Sequence, residues 1–126
     1  MKRQIEIDDT LSEILEATEA DVKQVLFEYL DAHDGLPNLG DLDYGGAIHE
    51  IIDSAVPIYT SEQNDLWYLY GCDFERAFDD AGIGEKDDDS WPMGWKPAAI
   101  YCYIEQHVAD WYDENLDDLM SEWREK

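Results

Sequence analysis

Apolar residues return at intervals of three and four along most of this chain, and almost nowhere in alternation. Leu11, Ile14, Leu15, Val22, Val25, Leu26, Tyr29 and Leu30 keep that helical spacing. Thr10-Leu11-Ser12-Glu13 fits a capping box, which predicts a helix start at Thr10. A break between Thr18 and Asp21, where a second cap would sit, is compatible with the pattern. Gly35 and Pro37 close this region. Leu36 to Tyr44 reads as a loop with Asn38 and Gly40 as turn formers. Gly46 to Val56 predicts a short helix with Ile48, Ile51, Ile52 and Ala55 inward, ended by Pro57. Ser61 then caps a helix carrying Leu66, Trp67, Leu69 and Tyr70 that stops at Gly71. Phe74 to Ala81 adds a further turn or two, closed by Gly82. Ile83 to Lys96 is a loop, and Pro97 opens a long last helix running to about Trp123. Ile5 to Ile7 is the one short stretch that could pair as a strand. The expected fold is all-α or nearly so: a single compact helical domain over 1–126 with a long C-terminal helix.

Composition changes this picture through charge. The chain holds 32 acidic residues against 8 lysines and arginines, a formal net charge of -24. Lys2, Arg3, Arg124 and Lys126 lie at the two ends, and no base occurs between Gln24 and Glu75. High net charge favours disorder when apolar content is low. Here 44% of residues are hydrophobic and 13% aromatic, which is enough for a folded body with an anionic skin. Self-repulsion opposes compaction, so folding alone does not account for the imbalance. A partner that ordinarily binds a polyanion would.

The last helix carries the charge most legibly. Ile100, Ile104, His107, Val108, Trp111, Leu119, Met120 and Trp123 trace its apolar face. Asp110, Asp113, Glu114, Asp117, Asp118 and Glu122 recur beside it at three- and four-residue steps, with no base between Pro97 and Trp123. Like charges at those spacings each destabilise a helix by about 0.2–0.5 kcal/mol. An ordinary solvated face mixes signs; this one does not. Carboxylates one turn apart are about 6 Å apart along the axis, comparable to successive phosphates on a DNA strand. Duplex DNA carries one charge per roughly 1.7 Å of axis, so the net charge of this chain corresponds to about 40 Å of duplex. The expected array of phosphate-like carboxylates comprises the last-helix six with Asp41, Asp43, Glu50, Asp53, Asp79, Asp80, Asp87, Asp88 and Asp89.

Gly46-Ala47-Ile48-His49-Glu50-Ile51-Ile52-Asp53-Ser54-Ala55-Val56-Pro57-Ile58-Tyr59 resembles a segment of the Ocr-type antirestriction proteins of podophages. The shared pattern is Ala47-Ile48-His49, Asp53, Ala55-Val56-Pro57 and Tyr59. Phe78-Asp79-Asp80-Ala81-Gly82-Ile83 resembles that family's short acidic turn. Ile100-Tyr101 and Asp118-Leu119-Met120-Ser121-Glu122-Trp123 resemble its last helix. The likeness covers about two-thirds of the chain, with gaps. It implies an elongated α-helical homodimer shaped and charged like bent B-form DNA. It also implies occupation of the DNA groove of type I restriction-modification enzymes, and a small hydrophobic dimer contact near Leu66, Trp67, Tyr68 and Tyr70. The chain departs from the family in ending Arg124-Glu125-Lys126 rather than in an acidic tail, in the Ile83 to Lys96 loop with Trp91 and Trp95, and in the first forty residues.

Other chemistry is thinly represented. Asp41-Leu42-Asp43-Tyr44-Gly45-Gly46 begins like a calcium loop, but Gly45 and Ile52 occupy ligand positions. Asp87-Asp88-Asp89 are consecutive and read as charged skin rather than a Mg²⁺ site. His49-Glu50 is followed by Asp53 where a zinc helix needs a second histidine, so His49 is expected as a hydrogen-bonded structural residue of the helical interior. Cys72 and Cys102 sit among aromatics and are expected as buried free thiols, with a disulfide as the alternative. The tryptophans are expected mainly in the core, with Trp67 and one loop tryptophan as contact residues in the alternative. No nucleophile-base constellation or phosphate loop appears, and neither a signal peptide nor a membrane span is recognisable.

The expectation is therefore a non-enzymatic, cofactor-free DNA mimic of phage or mobile-element origin acting in the host cytoplasm. It would bind DNA-binding defence proteins, a type I restriction-modification enzyme first, rather than nucleic acid or membrane. Two alternatives stay open: a mimic aimed at another target (a CRISPR effector, another defence methyltransferase, a DNA glycosylase or a nucleoid protein), and an acidic immunity or antitoxin protein.

Overall fold

The computed structural model describes residues 4–33, 37–57, 60–86 and 95–125. The fold is all-α: α1 (Gln4–Ala32), α2 (Leu39–Leu42), a 3-10 turn (Tyr44–Gly46), α3 (Ala47–Ala55), α4 (Thr60–Ala81) and α5 (Trp95–Arg124). There is no strand among the described residues, and Ile5 to Ile7 lie within α1. None of the described helices is long and apolar enough to cross a membrane. The pair α4–α5 forms the main packing unit, and α1 lies against α3, α4 and α5.

Three local signals are overridden by burial. The first is the Thr10 cap: Ile7 and Leu11 are both in the core, so the helix extends a turn and a half N-terminal to it. The second is the break near Thr18. That hydroxyl donates to the Ile14 carbonyl at 2.7 Å, a bond made within the helix, and Val22, Leu26 and Leu30 continue the buried stripe beyond it. The third is the stop at Gly71. Phe74, Ala77 and Phe78 are buried one and two turns further on, and their burial outweighs the roughly 1 kcal/mol that glycine costs mid-helix. The Trp67 ring lies 3.0 Å from where a Gly71 Cβ would stand, so this glycine makes room for an aromatic.

The predicted loop from Leu36 to Tyr44 contains the single turn of α2. Asn38 caps it: the Asp41 amide donates to Asn38 Oδ1 at 2.7 Å and the Asn38 amide donates to Asp41 Oδ2 at 3.1 Å. Gly45 and Gly46 then take left-handed φ of 63° and 78°, which turns the chain sharply into α3. Helix α5 begins at Trp95, so Pro97 is its third residue, still within the turn whose amides need no helical partner.

The α4–α5 seam is aromatic. Trp67 packs edge-on against Phe74 (5.4 Å between centroids) and Trp95 (5.2 Å), Phe74 against Tyr103 (5.2 Å) and Phe78 against Trp95 (5.4 Å). Each such pair contributes about 0.5–1.5 kcal/mol beyond its buried area. Trp67 and Trp95 are thus packing residues, as are the half-buried Trp111 and Trp123; Trp91 lies outside the described residues. The cysteines divide: Cys102 is buried and Cys72, against expectation, is exposed on the outer side of α4, both free.

Tyrosine hydroxyls tie the helices together. Tyr70 donates to Asp8, joining α4 to α1, and Tyr112 donates to the Pro37 carbonyl at 2.7 Å, fixing the α1–α2 connection. The bond to Asp8, then burial, pushes Tyr70 up to about 12. Burial, with Asp113 and Asp41 nearby, pushes Tyr112 to about 12, and burial with Glu105, Asp43 and Asp53 does the same for Tyr101. The unfolded chain releases these protons near 10. Stability is therefore fully present below pH 10 and falls as pH rises from 10 to 12. Absorbance at 295 nm should show Tyr70, Tyr101 and Tyr112 ionising late, and stability to chemical denaturation should weaken across that window.

Candidate functional site

Helix geometry sorts apolar from acidic on α5. Val108, Tyr112, Leu119 and Met120 are buried, while Asp110, Asp113, Glu114, Asp117, Asp118 and Glu122 are all exposed between and beside them. On α3, Ile48 and Ile52 turn inward and Glu50 and Asp53 outward. Asp41 and Asp43, flanking Leu42, are exposed, as are Asp79 and Asp80 at the end of α4. Every carboxylate of the predicted array that is described stands in solvent. Asp87, Asp88 and Asp89 lie outside the described residues.

Asp41, Asp43 and Asp53 lie close beside part of the α5 row. Asp41 and Asp113 both act on Tyr112, whereas Asp43, Asp53 and Glu105 all act on Tyr101, three turns earlier in α5. Asp43, Glu105, His49 and Tyr101 line one hollow between α2, α3 and α5. The acids of the α2–α3 segment thus run alongside those of α5 in the opposite chain direction. Their shared span, Tyr101 to Asp113, is about 18 Å of helix. Glu105 belongs to this arrangement although the periodic reading of α5 began only at Asp110. It stands five residues before Asp110, outside the three- and four-residue steps of that reading, so the spacing gave no signal for it.

Four carboxylates of the predicted array also have local tasks. Asp43 Oδ1 accepts from the Ile48 and His49 amides (2.9 and 3.1 Å), capping α3 in place of Gly46, which has no side chain to do so. Asp41 completes the α2 cap. Glu122 pairs with Lys23, and Asp79 with Lys86 at 3.5 Å; Lys86 also meets Glu75 at 2.6 Å. These bases stitch seams: Lys86 lies over the Trp95 ring and Lys96 over the Trp67 ring. Among the described residues, no base pairs with Asp110, Asp113, Glu114, Asp117 or Asp118.

His49 is exposed rather than interior. It keeps the expected hydrogen bond, its Nδ1 standing 2.6 Å from the Tyr101 hydroxyl. His107 Nε2 lies 3.2 Å from Glu19. No group of three or more His, Cys, Asp or Glu among the described residues could hold a metal ion, and the Asp41 and Asp43 oxygens that a calcium loop would use cap helices instead. The four residues of the resemblance-based dimer contact differ in exposure. Leu66 is 1% exposed and belongs to the core, Trp67 and Tyr70 are half-buried within the aromatic seam, and Tyr68 is 67% exposed. Asn64 and Cys72, one turn to either side of it, are exposed and uncharged.

No family model, curated protein or solved structure matches this chain.

The exposed acids of α5 oppose folding. Asp110, Asp113, Glu114, Asp117 and Asp118 make three like-charge pairs at four-residue spacing and two at three, worth about 1–2.5 kcal/mol together at 0.2–0.5 each. Converting all five to amides should raise the melting temperature by several degrees at low salt, with the gain shrinking as salt screens the repulsion. Thermal unfolding at two ionic strengths measures both effects.

Proposed function

We propose that this chain is a DNA mimic of the Ocr kind, which occupies the DNA groove of a host defence enzyme, a type I restriction-modification enzyme first. The carrying observation is the row of exposed carboxylates on α5, five of which pair with no base among the described residues, with the exposed Asp41, Asp43 and Asp53 lying beside its Tyr101 to Asp113 stretch in the opposite chain direction. A duplex likewise presents two antiparallel lines of negative charge. The 30 residues of α5 extend about 45 Å, close to a dozen base pairs of rise. Helices hold their side chains at fixed axial steps, so the charge is carried on a rigid frame, as phosphates are on a double helix. A groove lined with lysine and arginine would be drawn to such a surface by long-range steering. No single residue would be indispensable, because each exposed pair contributes only about 0.2–1 kcal/mol.

The proposed active form is a homodimer joined through the uncharged patch at Asn64, Tyr68 and Cys72 on α4. Two chains of this charge approach most readily where acids are fewest, and this stripe, with Asp65 and Glu75 at its margins, offers one aromatic anchor for the purpose. In an antiparallel pairing of two α4 helices centred on Tyr68, Cys72 approaches Asn64 of the partner, so N64C opposite native Cys72 should crosslink under mild oxidation. Y68E should leave a monomer in sedimentation.

Titration of the protein into a type I methyltransferase bound to labelled duplex tests the mimicry. Displacement should be competitive and weaken steeply with salt. Asp117→Asn alone should change the inhibition constant by less than roughly fivefold, and the five-amide α5 variant by about a hundredfold. A ternary complex holding both duplex and protein would refute the proposal.

A further inference from the structure

A groove of about 530 Å³ lies between α1, the end of α3 with Val56 and Pro57, and Glu62 near the start of α4. Ile14, Ala17, Ile51, Ala55, Val56 and Pro57 form its apolar part. Ala17 is exposed, and Ile14, Ile51, Ala55 and Val56 are only half-buried, so apolar surface stays open to solvent here. Glu13, Asp21 and Glu62 rim it, and no described lysine or arginine lines it. From Glu13 to Asp21 the α1 wall runs about 12 Å, two helical turns. The groove uses the Ile51 and Ala55 side of α3, whereas His49 and Asp53 face the hollows beside α5. It therefore stands apart from the carboxylate rows, on the other flank of the same helix.

We propose that this groove docks a short cationic amphipathic helix of a partner protein. Two or three apolar side chains at positions i, i+3 or i+4, and i+7 of that helix span about 10 Å and fit the open floor at Ile14, Ala17, Ala55 and Val56. Lysines or arginines flanking them meet Glu13, Asp21 and Glu62. Charge selects this occupant: a second copy of the chain would bring its own anionic skin to an anionic rim, and lipid headgroups and nucleic acid carry the same sign as the rim. The proposal does not depend on duplex displacement, since the groove shares no residue with the carboxylate rows.

The test uses the full chain and two fluorescein-labelled twelve-residue peptides of equal charge. One carries leucine at i, i+4 and i+7 among lysines, and the other carries alanine at those positions. Fluorescence anisotropy at physiological salt should give the leucine peptide about tenfold or more the affinity of the alanine peptide. Ala17→Trp, a change at an exposed position, should reduce the leucine peptide to the level of the alanine peptide and leave the alanine peptide unaffected. A triple variant (E13Q, D21N, E62Q) should weaken the leucine peptide by about fivefold or more, with its circular dichroism unchanged. Equal affinity of the two peptides, or an unaltered leucine-peptide affinity in Ala17→Trp, would overturn the proposal. So would a change in sedimentation on Ala17→Trp in the absence of peptide, which would assign the groove to a second copy of the chain.

Discussion

The molecule has to fold around an excess of negative charge that it does not neutralise. A buried carboxylate without a partner is prohibitive, and there are too few bases to supply partners. The acids from Asp8 onward whose exposure is described are accordingly all exposed or half-exposed, and the interior is held by apolar and aromatic packing with hydroxyl hydrogen bonds. Thr18 is satisfied by a carbonyl in its own helix and Tyr112 by the Pro37 carbonyl, so neither brings a charge inside. The edge-on aromatic contacts between α4 and α5 supply cohesion that another small domain would draw partly from surface ion pairs.

That constraint explains where the few bases go. Lys23 ties α1 to the end of α5, while Lys86 and Lys96 lie over tryptophan rings at the α4–α5 seam. Each secures a junction between elements, and no base among the described residues pairs with the central acids of α5. Acids that cap helices serve both ends at once. Asp43 holds the start of α3 through two backbone amides while keeping its exposed place in the row beside α5. Asp41 likewise completes the cap of α2 while standing exposed.

The elements whose signal is periodic were readable in advance. The long last helix, its apolar face and its acidic companions follow from spacing alone, as does the short helix before Pro57. Local punctuation was less trustworthy. The cap at Thr10, the break at Thr18 and the stop at Gly71 are each worth about a kilocalorie per mole, and each yields to core residues on both sides of it. The same asymmetry governs the surface. The α5 acids could be placed by counting, but the opposition of Asp41, Asp43 and Asp53 to α5, and the membership of Glu105, could not. Nor could the split among Leu66, Trp67, Tyr68 and Tyr70, three of which the fold draws into its packing while it leaves Tyr68 outside.

The chain alone determined that the protein is helical, that its skin is anionic and that one face of its last helix is continuously acidic. These are properties of periodicity and composition, which act over one or two turns and need no knowledge of neighbours. Tertiary structure decided which helix faces meet, hence which carboxylates stand opposite one another, which aromatics remain free, and that an acid-rimmed apolar groove opens on the far flank of α3. Those outcomes depend on how helices distant in sequence share one core, and that sharing is settled by the combined burial of all of them rather than by any segment's own preference.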